Sequence, residues 1–147
     1  MLNIITGSST QNEGISFASP SGLASFAPVV LRFGLAALFL WFGISQVLNP
    51  SSWTAWVPAW GNNFLGMNAM TIVFINGWFE VTGGVLLALG LWTRWAALAL
   101  SLHLFVISYE IGYNDIGVRD FALAVSALAL SLFGSDKYSL DTRAAKQ

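Results

Sequence analysis

The chain has 147 residues, 56% apolar and only 9% charged, with a net charge of −1. Soluble domains carry about 25% charged residues and disordered chains need low hydrophobicity with high charge, so both classes are excluded. The near-neutral balance offers no basic patch, which excludes nucleic acid as a partner.

Residues 1–27 are rich in Ser, Gly, Asn and Thr, with Glu13 as the single charge. They read as a flexible N-terminal tail. A signal peptide is not expected, because there is no basic start and no sustained apolar run.

Four apolar segments follow over residues 28–134, and residues 135–147 form a C-terminal tail. About 20 mostly apolar residues cross a hydrocarbon core about 30 Å thick, and in lipid open strands leave backbone groups unsatisfied. The expected fold is therefore all-α, an integral-membrane four-helix bundle. The first span is placed at Pro28–Leu48, with Pro28 suited to a first helical turn and Asn49-Pro50 as its stop. No charge occurs between Arg32 and Glu80. Arg32 lies one turn into this span; the default expectation is that it snorkels to the headgroups, the alternative that it turns inward. Phe39, Trp41 and Phe42 either pack or flank a ring-shaped ligand.

The loop Asn49–Asn68 holds Trp53, Trp56 and Trp60, spaced i, i+3, i+7. On a helix these rings share one face. Ser52–Ala59 is read as a short interfacial helix in this outer loop, bent or ended near Pro58. The rings then act as interfacial anchors or as a lid over a site between the helices.

The second span is placed at Ala69–Trp92 and the third at Arg94–Tyr109. The few residues joining them predict a tight antiparallel hairpin. Gly77 and Gly84 are seven apart, as are Gly83 and Gly90, and both stripes are expected to serve helix packing. Glu80 sits near the middle of its span, where a carboxylate must be paired, protonated or turned to a polar cavity. His103 falls at a similar depth in the third span. The two are expected to meet and to hold or relay a proton, with Asn76 on the same face one turn away. The bland alternatives are a neutral Glu80 that only fixes packing and a satisfied core histidine.

The fourth span is placed at Val118–Phe133, stopped by Gly134. Between the third and fourth spans stand Glu110, Tyr113, Asn114, Asp115, Arg119 and Asp120. Arg119 with Glu110 or Asp120 forms either an ion-pair clasp closing the hairpin or the mouth of a ligand site. Five of the six Lys and Arg residues fall on the side shared by the two termini, so both termini are expected in the cytoplasm.

The chain contains no cysteine and one histidine, His103. Thiol relays, iron–sulfur clusters and Cys-bound zinc are excluded, and no metal site or covalent cofactor is expected. No catalytic residue is assigned. Any redox role must take its electrons through a bound small molecule or a partner.

Some of these runs resemble a known family. Leu31-Arg32-Phe33-Gly34-Leu35, continuing to Phe42-Gly43-Ile44-Ser45-Gln46 and Asn49-Pro50, is similar to the first helix of DoxX-type membrane proteins. Phe79-Glu80-Val81-Thr82-Gly83-Gly84-Val85-Leu86-Leu87 with Gly90-Leu91-Trp92-Thr93-Arg94 resembles their second helix and the turn after it. Gly112-Tyr113-Asn114-Asp115-Ile116-Gly117-Val118-Arg119-Asp120-Phe121 and Gly134-Ser135-Asp136-Lys137-Tyr138-Ser139-Leu140-Asp141 complete the resemblance over residues 28–141. It implies a multi-pass plasma (inner) membrane protein, related to the small subunit of thiosulfate:quinone oxidoreductase. Arg32, Glu80, Arg119 and Asp120 fall on the family's polar positions. Gln46 stands where many relatives have lysine.

Two functions compete. The first is a quinone-interacting, redox-associated subunit that binds a quinone near Glu80, His103 and Arg119. The second is a scaffold or accessory subunit in a larger membrane complex. The lipid bilayer and either partner subunits or further copies of the chain are the expected partners. A small transporter ranks last, since the halves show no repeat.

Overall fold

The computed structural model describes residues 22–61 and 66–145. The body of the expected N-terminal tail lies outside the described residues. The first described element is a short 3-10 helix (Gly22–Phe26) that runs directly into α1 (Ala27–Leu48). Pro28 occupies the first turn of α1, and the helix ends at Asn49, ahead of Pro50.

Helix α2 (Ala69–Leu89) starts where the Asn68 side chain accepts a hydrogen bond from the Thr71 amide at 2.9 Å. It ends at Gly90, whose φ of 66° is left-handed. Helix α3 (Thr93–Ile111) follows at once. Helix α4 (Asp115–Phe133) begins about one turn earlier than expected, because Asn114 caps it by accepting from the Ile116 and Gly117 amides. Helix α5 (Leu140–Ala144) closes the described chain. No strand occurs among the described residues.

Among the described residues, four helices are long and apolar enough to cross a membrane. The surface fits that solvent: Trp41 is 74% exposed and Trp95 73% exposed, which water would penalise and lipid welcomes. The molecule is an all-α integral-membrane four-helix bundle. Trp41 thus faces outward and flanks no internal site.

Packing follows small residues. α1 packs most extensively on α2, and α3 on α4, whereas α2 meets α3 only sparsely despite the short turn between them. A Cβ on Gly43 would lie 2.7 Å from the Gly77 carbonyl oxygen, and one on Gly84 would press on Leu40. The Gly77–Gly84 stripe therefore serves the α1–α2 seam. Gly83 instead receives Leu100 of α3; a leucine between two helices holds their backbones further apart than glycine against glycine. In the α3–α4 seam the buried Ser101 hydroxyl donates to the Ala124 carbonyl at 2.8 Å.

The close-packed core lies in one half of the bundle. Leu87, Ala97, Ala124, Ala127 and Leu130 are fully buried there, with Leu35 and Leu100 beside them. Beyond them, the segment after α4 folds back across the bundle end. Arg32 Nε donates to Asp136 Oδ2 at 2.6 Å, and Arg32 Nη1 donates to the Leu87 and Ala88 carbonyls at the end of α2. Arg32 does not snorkel. The exposed carbonyl end of α2 attracts a cation, and Asp136 completes its shell. Asp141 accepts from the Trp92 and Thr93 amides at 2.8 and 2.9 Å, and its own amide donates to the Gly90 carbonyl. This C-terminal segment is a latch joining α1, α2 and α3.

Gly90 is accordingly no stripe residue. It needs its left-handed φ, and a Cβ there would sit 2.6 Å from Ser139 Cα of the latch. Trp92, at φ 49°, is the one non-glycine with positive φ among the described residues.

At the opposite end, the expected interfacial helix over Ser52–Ala59 is a 3-10 helix over Pro50–Trp56. Val57 is extended, as a residue before proline prefers. Trp60 therefore lies past the break, and the three rings do not share one helical face.

Candidate functional site

The site grows from the α1–α2 seam. Because Gly43 and Gly77 bring the two backbones together, Gln46 in the last turn of α1 reaches two polar side chains of α2. Asn76 Nδ2 donates to Gln46 Oε1 at 2.8 Å and to Glu80 Oε1 at 3.0 Å. Gln46 Nε2 donates to Glu80 Oε2 at 3.0 Å. From α3, His103 Nε2 stands 3.4 Å from Glu80 Oε1, with its ring edge-on to Phe79 at 4.9 Å between centroids. Glu80 is 4% exposed.

The chemistry of these groups is constrained. Amide nitrogens only donate, so both Glu80 oxygens act as acceptors and the carboxylate is fixed in orientation. His103 is the one partner that can either give or take a proton at the shared position. The cluster can thus hold a proton between Glu80 and His103 without moving a helix.

This cluster is the deep wall of a cavity of about 550 Å³. All four long helices and the tryptophan segment line it. Phe42 and Trp53 meet edge to face at 5.7 Å on one wall, and Trp53 Nε1 donates to Ser45 Oγ at 3.3 Å. Trp56 and Trp60 line the cavity as well, while each keeps half of its surface exposed. A second depression of similar size lies between α3 and α4 at Tyr109, Tyr113 and Phe121. It is almost wholly apolar. Convergent polar groups in an apolar cavity mark a ligand site more specifically than volume does, so the cavity at Glu80 is the candidate.

Helix α4 adds Arg119 and Asp120 to the cavity wall. Arg119 Nη2 pairs with Asp120 Oδ1 at 2.9 Å, and its guanidinium lies 5.8 Å from the Phe42 ring centre. The expected clasp across the α3–α4 hairpin is not formed, since Asp120 is the neighbour of Arg119 in the same helix. Glu110 lines the cavity from α3 and is exposed. It forms no ion pair among the described residues. The hairpin is held instead by the Asn114 cap and by Ser108 Oγ donating to the Gly117 carbonyl at 2.8 Å.

A family model for DoxX matches residues 27–111. The chain belongs to the DoxX family. The match spans α1 to α3 and so contains the Gln46–Asn76–Glu80–His103 cluster of this DoxX chain. No curated protein and no solved structure matches it.

The structure of this DoxX-family chain brings Glu80, His103 and Asn76 together and sets Arg119, Asp120 and Glu110 on the other walls of the same cavity. Gln46 was the residue missing from the sequence-based site. Its signal was present: it is the polar side chain that stands in an apolar helix one turn beyond Gly43, where backbone contact is closest. The Arg32–Asp136 pair had no local signal at all.

Proposed function

We propose that this DoxX-family membrane protein is a quinone-interacting, redox-associated subunit that takes its electrons from a partner protein. The reading is carried by one observation: a buried carboxylate beside a part-buried histidine forms the deep wall of a largely apolar, aromatic-lined cavity inside a membrane bundle. Its volume of about 550 Å³ falls within the range of about 300–1,000 Å³ usual for small-ligand sites. A bound quinone supplies electron and proton acceptance at its carbonyl oxygens. His103 and Glu80 hold the proton that such a group exchanges. Gln46 and Asn76 keep the carboxylate turned toward the histidine. Phe42 and Trp53 offer aromatic surface to a flat ring, and Arg119 presents a donor on the far wall.

The chain supplies no thiol for electron transfer, so the proposal requires a partner. Arg32, Arg94, Lys137 and Arg143 at the latch end and Arg119 at the other support a plasma-membrane orientation with both termini in the cytoplasm. The Gly77–Gly84 stripe is used inside the bundle and is not free to receive a neighbouring subunit, so it lends the accessory-subunit reading no support.

The test is native mass spectrometry of the protein released from its own membranes in mild detergent. A retained quinone that is lost in Glu80→Gln is the expected result. Partner chains retained without quinone would replace this reading with the accessory one.

A further inference from the structure

We infer that Glu80 and His103 exchange protons with one face of the membrane only, the face that carries the tryptophan segment. This rests on reading the cavity as a site of proton-coupled ligand chemistry, and adds a direction to it.

The cavity is one-sided along the membrane normal. Its deepest lining residues are Leu38, Glu80, His103 and Leu123, each near the middle of its helix. The rest of the lining lies between that level and the tryptophan segment, although the four helices alternate in direction. On the other side of Glu80 the structure is solid. Leu35, Leu87, Ala97, Leu100 and Leu130 fill the interior at 0–3% exposure. Past them the latch closes the end, with Arg32 and Asp136 committed to each other and to the α2 carbonyls. A proton moving that way would cross a close-packed layer whose buried polar side chains are Ser101, its hydroxyl committed to the Ala124 carbonyl, and Thr93 beside the latch. No titratable group stands between Glu80 and the latch among the described residues, so this is the costly route in a membrane.

The open side carries groups that can. On α3, Glu110 lies seven residues beyond His103, which places it on the same face about 10 Å along the helix. Glu110 is exposed at the mouth. Helix α4 contributes Asp120 and Arg119; α1 and α2 contribute the uncharged Gln46 and Asn76; the tryptophan segment contributes no charge. Every titratable group near the Glu80–His103 pair is therefore at its own depth or nearer the tryptophan face.

The test uses the full chain in sealed vesicles of one orientation, the orientation read from protease access to Lys137 and Arg143. Glu80 is labelled with a membrane-soluble carbodiimide, which attacks the protonated carboxyl. His103, the chain's only histidine, is labelled with diethylpyrocarbonate, which needs the neutral imidazole. The two reagents read opposite protonation states. Lowering pH on the tryptophan face is expected to raise Glu80 labelling, or lower His103 labelling, by up to about tenfold per pH unit. The same step on the latch face is expected to change neither. A response to the latch face, to both faces or to neither overturns the inference. Sided labelling in a protein that retains no quinone would overturn the quinone reading and leave the direction standing. Quinone retention without sidedness would do the reverse.

Discussion

Arg32 and Asp136 stand 104 positions apart in the chain, yet they share a 2.6 Å ion pair with both side chains 1% exposed. Removing one partner of such a pair leaves the other charge buried alone, at a cost of about 3–5 kcal/mol. Asp136→Ala is therefore expected to lower the thermal midpoint in detergent sharply. The double variant Arg32→Met, Asp136→Leu is expected to recover most of that loss, since apolar replacement of both partners is often neutral. Equal damage from the double variant would mean that the α2 carbonyls, not Asp136, are what Arg32 chiefly serves.

The α1–α2 seam separates two glycines of the same helix. A Cβ at Gly43 would meet the Gly77 carbonyl at 2.7 Å and the Val81 amide at 2.8 Å, both backbone atoms that cannot rotate away. Gly43→Ala is expected to destabilise by about 1–3 kcal/mol. Gly34→Ala, where a Cβ meets nothing within 4 Å, is expected to gain about 0.5–1 kcal/mol through helix propensity. Unfolding in a denaturant series checks both, and similar effects of opposite assignment would refute the seam.

Asp141 makes the latch acid-sensitive. Burial alone would raise its carboxyl, but hydrogen bonds from the Thr93 and Trp92 amides and the Ser135 hydroxyl outweigh that and hold it below the ordinary 3.8. A depressed folded-state value means that Asp141 stabilises the fold above about pH 4 and that this contribution is lost as pH falls through the folded value. The thermal midpoint of the native chain is expected to fall more steeply below pH 4 than that of Asp141→Asn. Parallel pH profiles would remove Asp141 from the account.

Gln46 tests whether the amide cluster is structural or only adjacent. Gln46→Leu leaves Glu80 Oε2 without its donor and removes one of the two acceptors of Asn76 Nδ2, the Glu80 Oε1 contact remaining, a cost of about 1–3 kcal/mol for buried groups. Ser101→Ala, which removes a hydroxyl donating to the Ala124 carbonyl, is expected to cost only about 0.6 kcal/mol, the average for such bonds between membrane helices. The ratio of the two losses in the same detergent is the measurement, and equal small losses would show Glu80 to be satisfied without Gln46.

How much of this was legible depends on how local the cause is. Four spans follow from composition and length alone. Asn76 beside Glu80 follows from helical spacing, and Glu80 opposite His103 follows from equal depth in consecutive spans. The tryptophan segment was harder. Its i, i+3, i+7 pattern suggests a helix, but Pro50 and Pro58 leave room for only a short 3-10 turn. Arg32 illustrates the limit. Snorkelling is the correct default for an arginine near a span end, and only a loop 104 residues away overrides it. The glycine stripes were visible as stripes, but which helix each one meets depends on side-chain size across the contact, as Leu100 at Gly83 shows.

The two seams also give the bundle a mechanical character. Each pair, α1 with α2 and α3 with α4, is stiff within itself, while the boundary between pairs is thinly bonded. At one end that boundary is riveted by the latch; at the other it surrounds the cavity. The two pairs are therefore tied to each other at the latch, through Arg32 and Asp136, and part around the cavity that all four helices line.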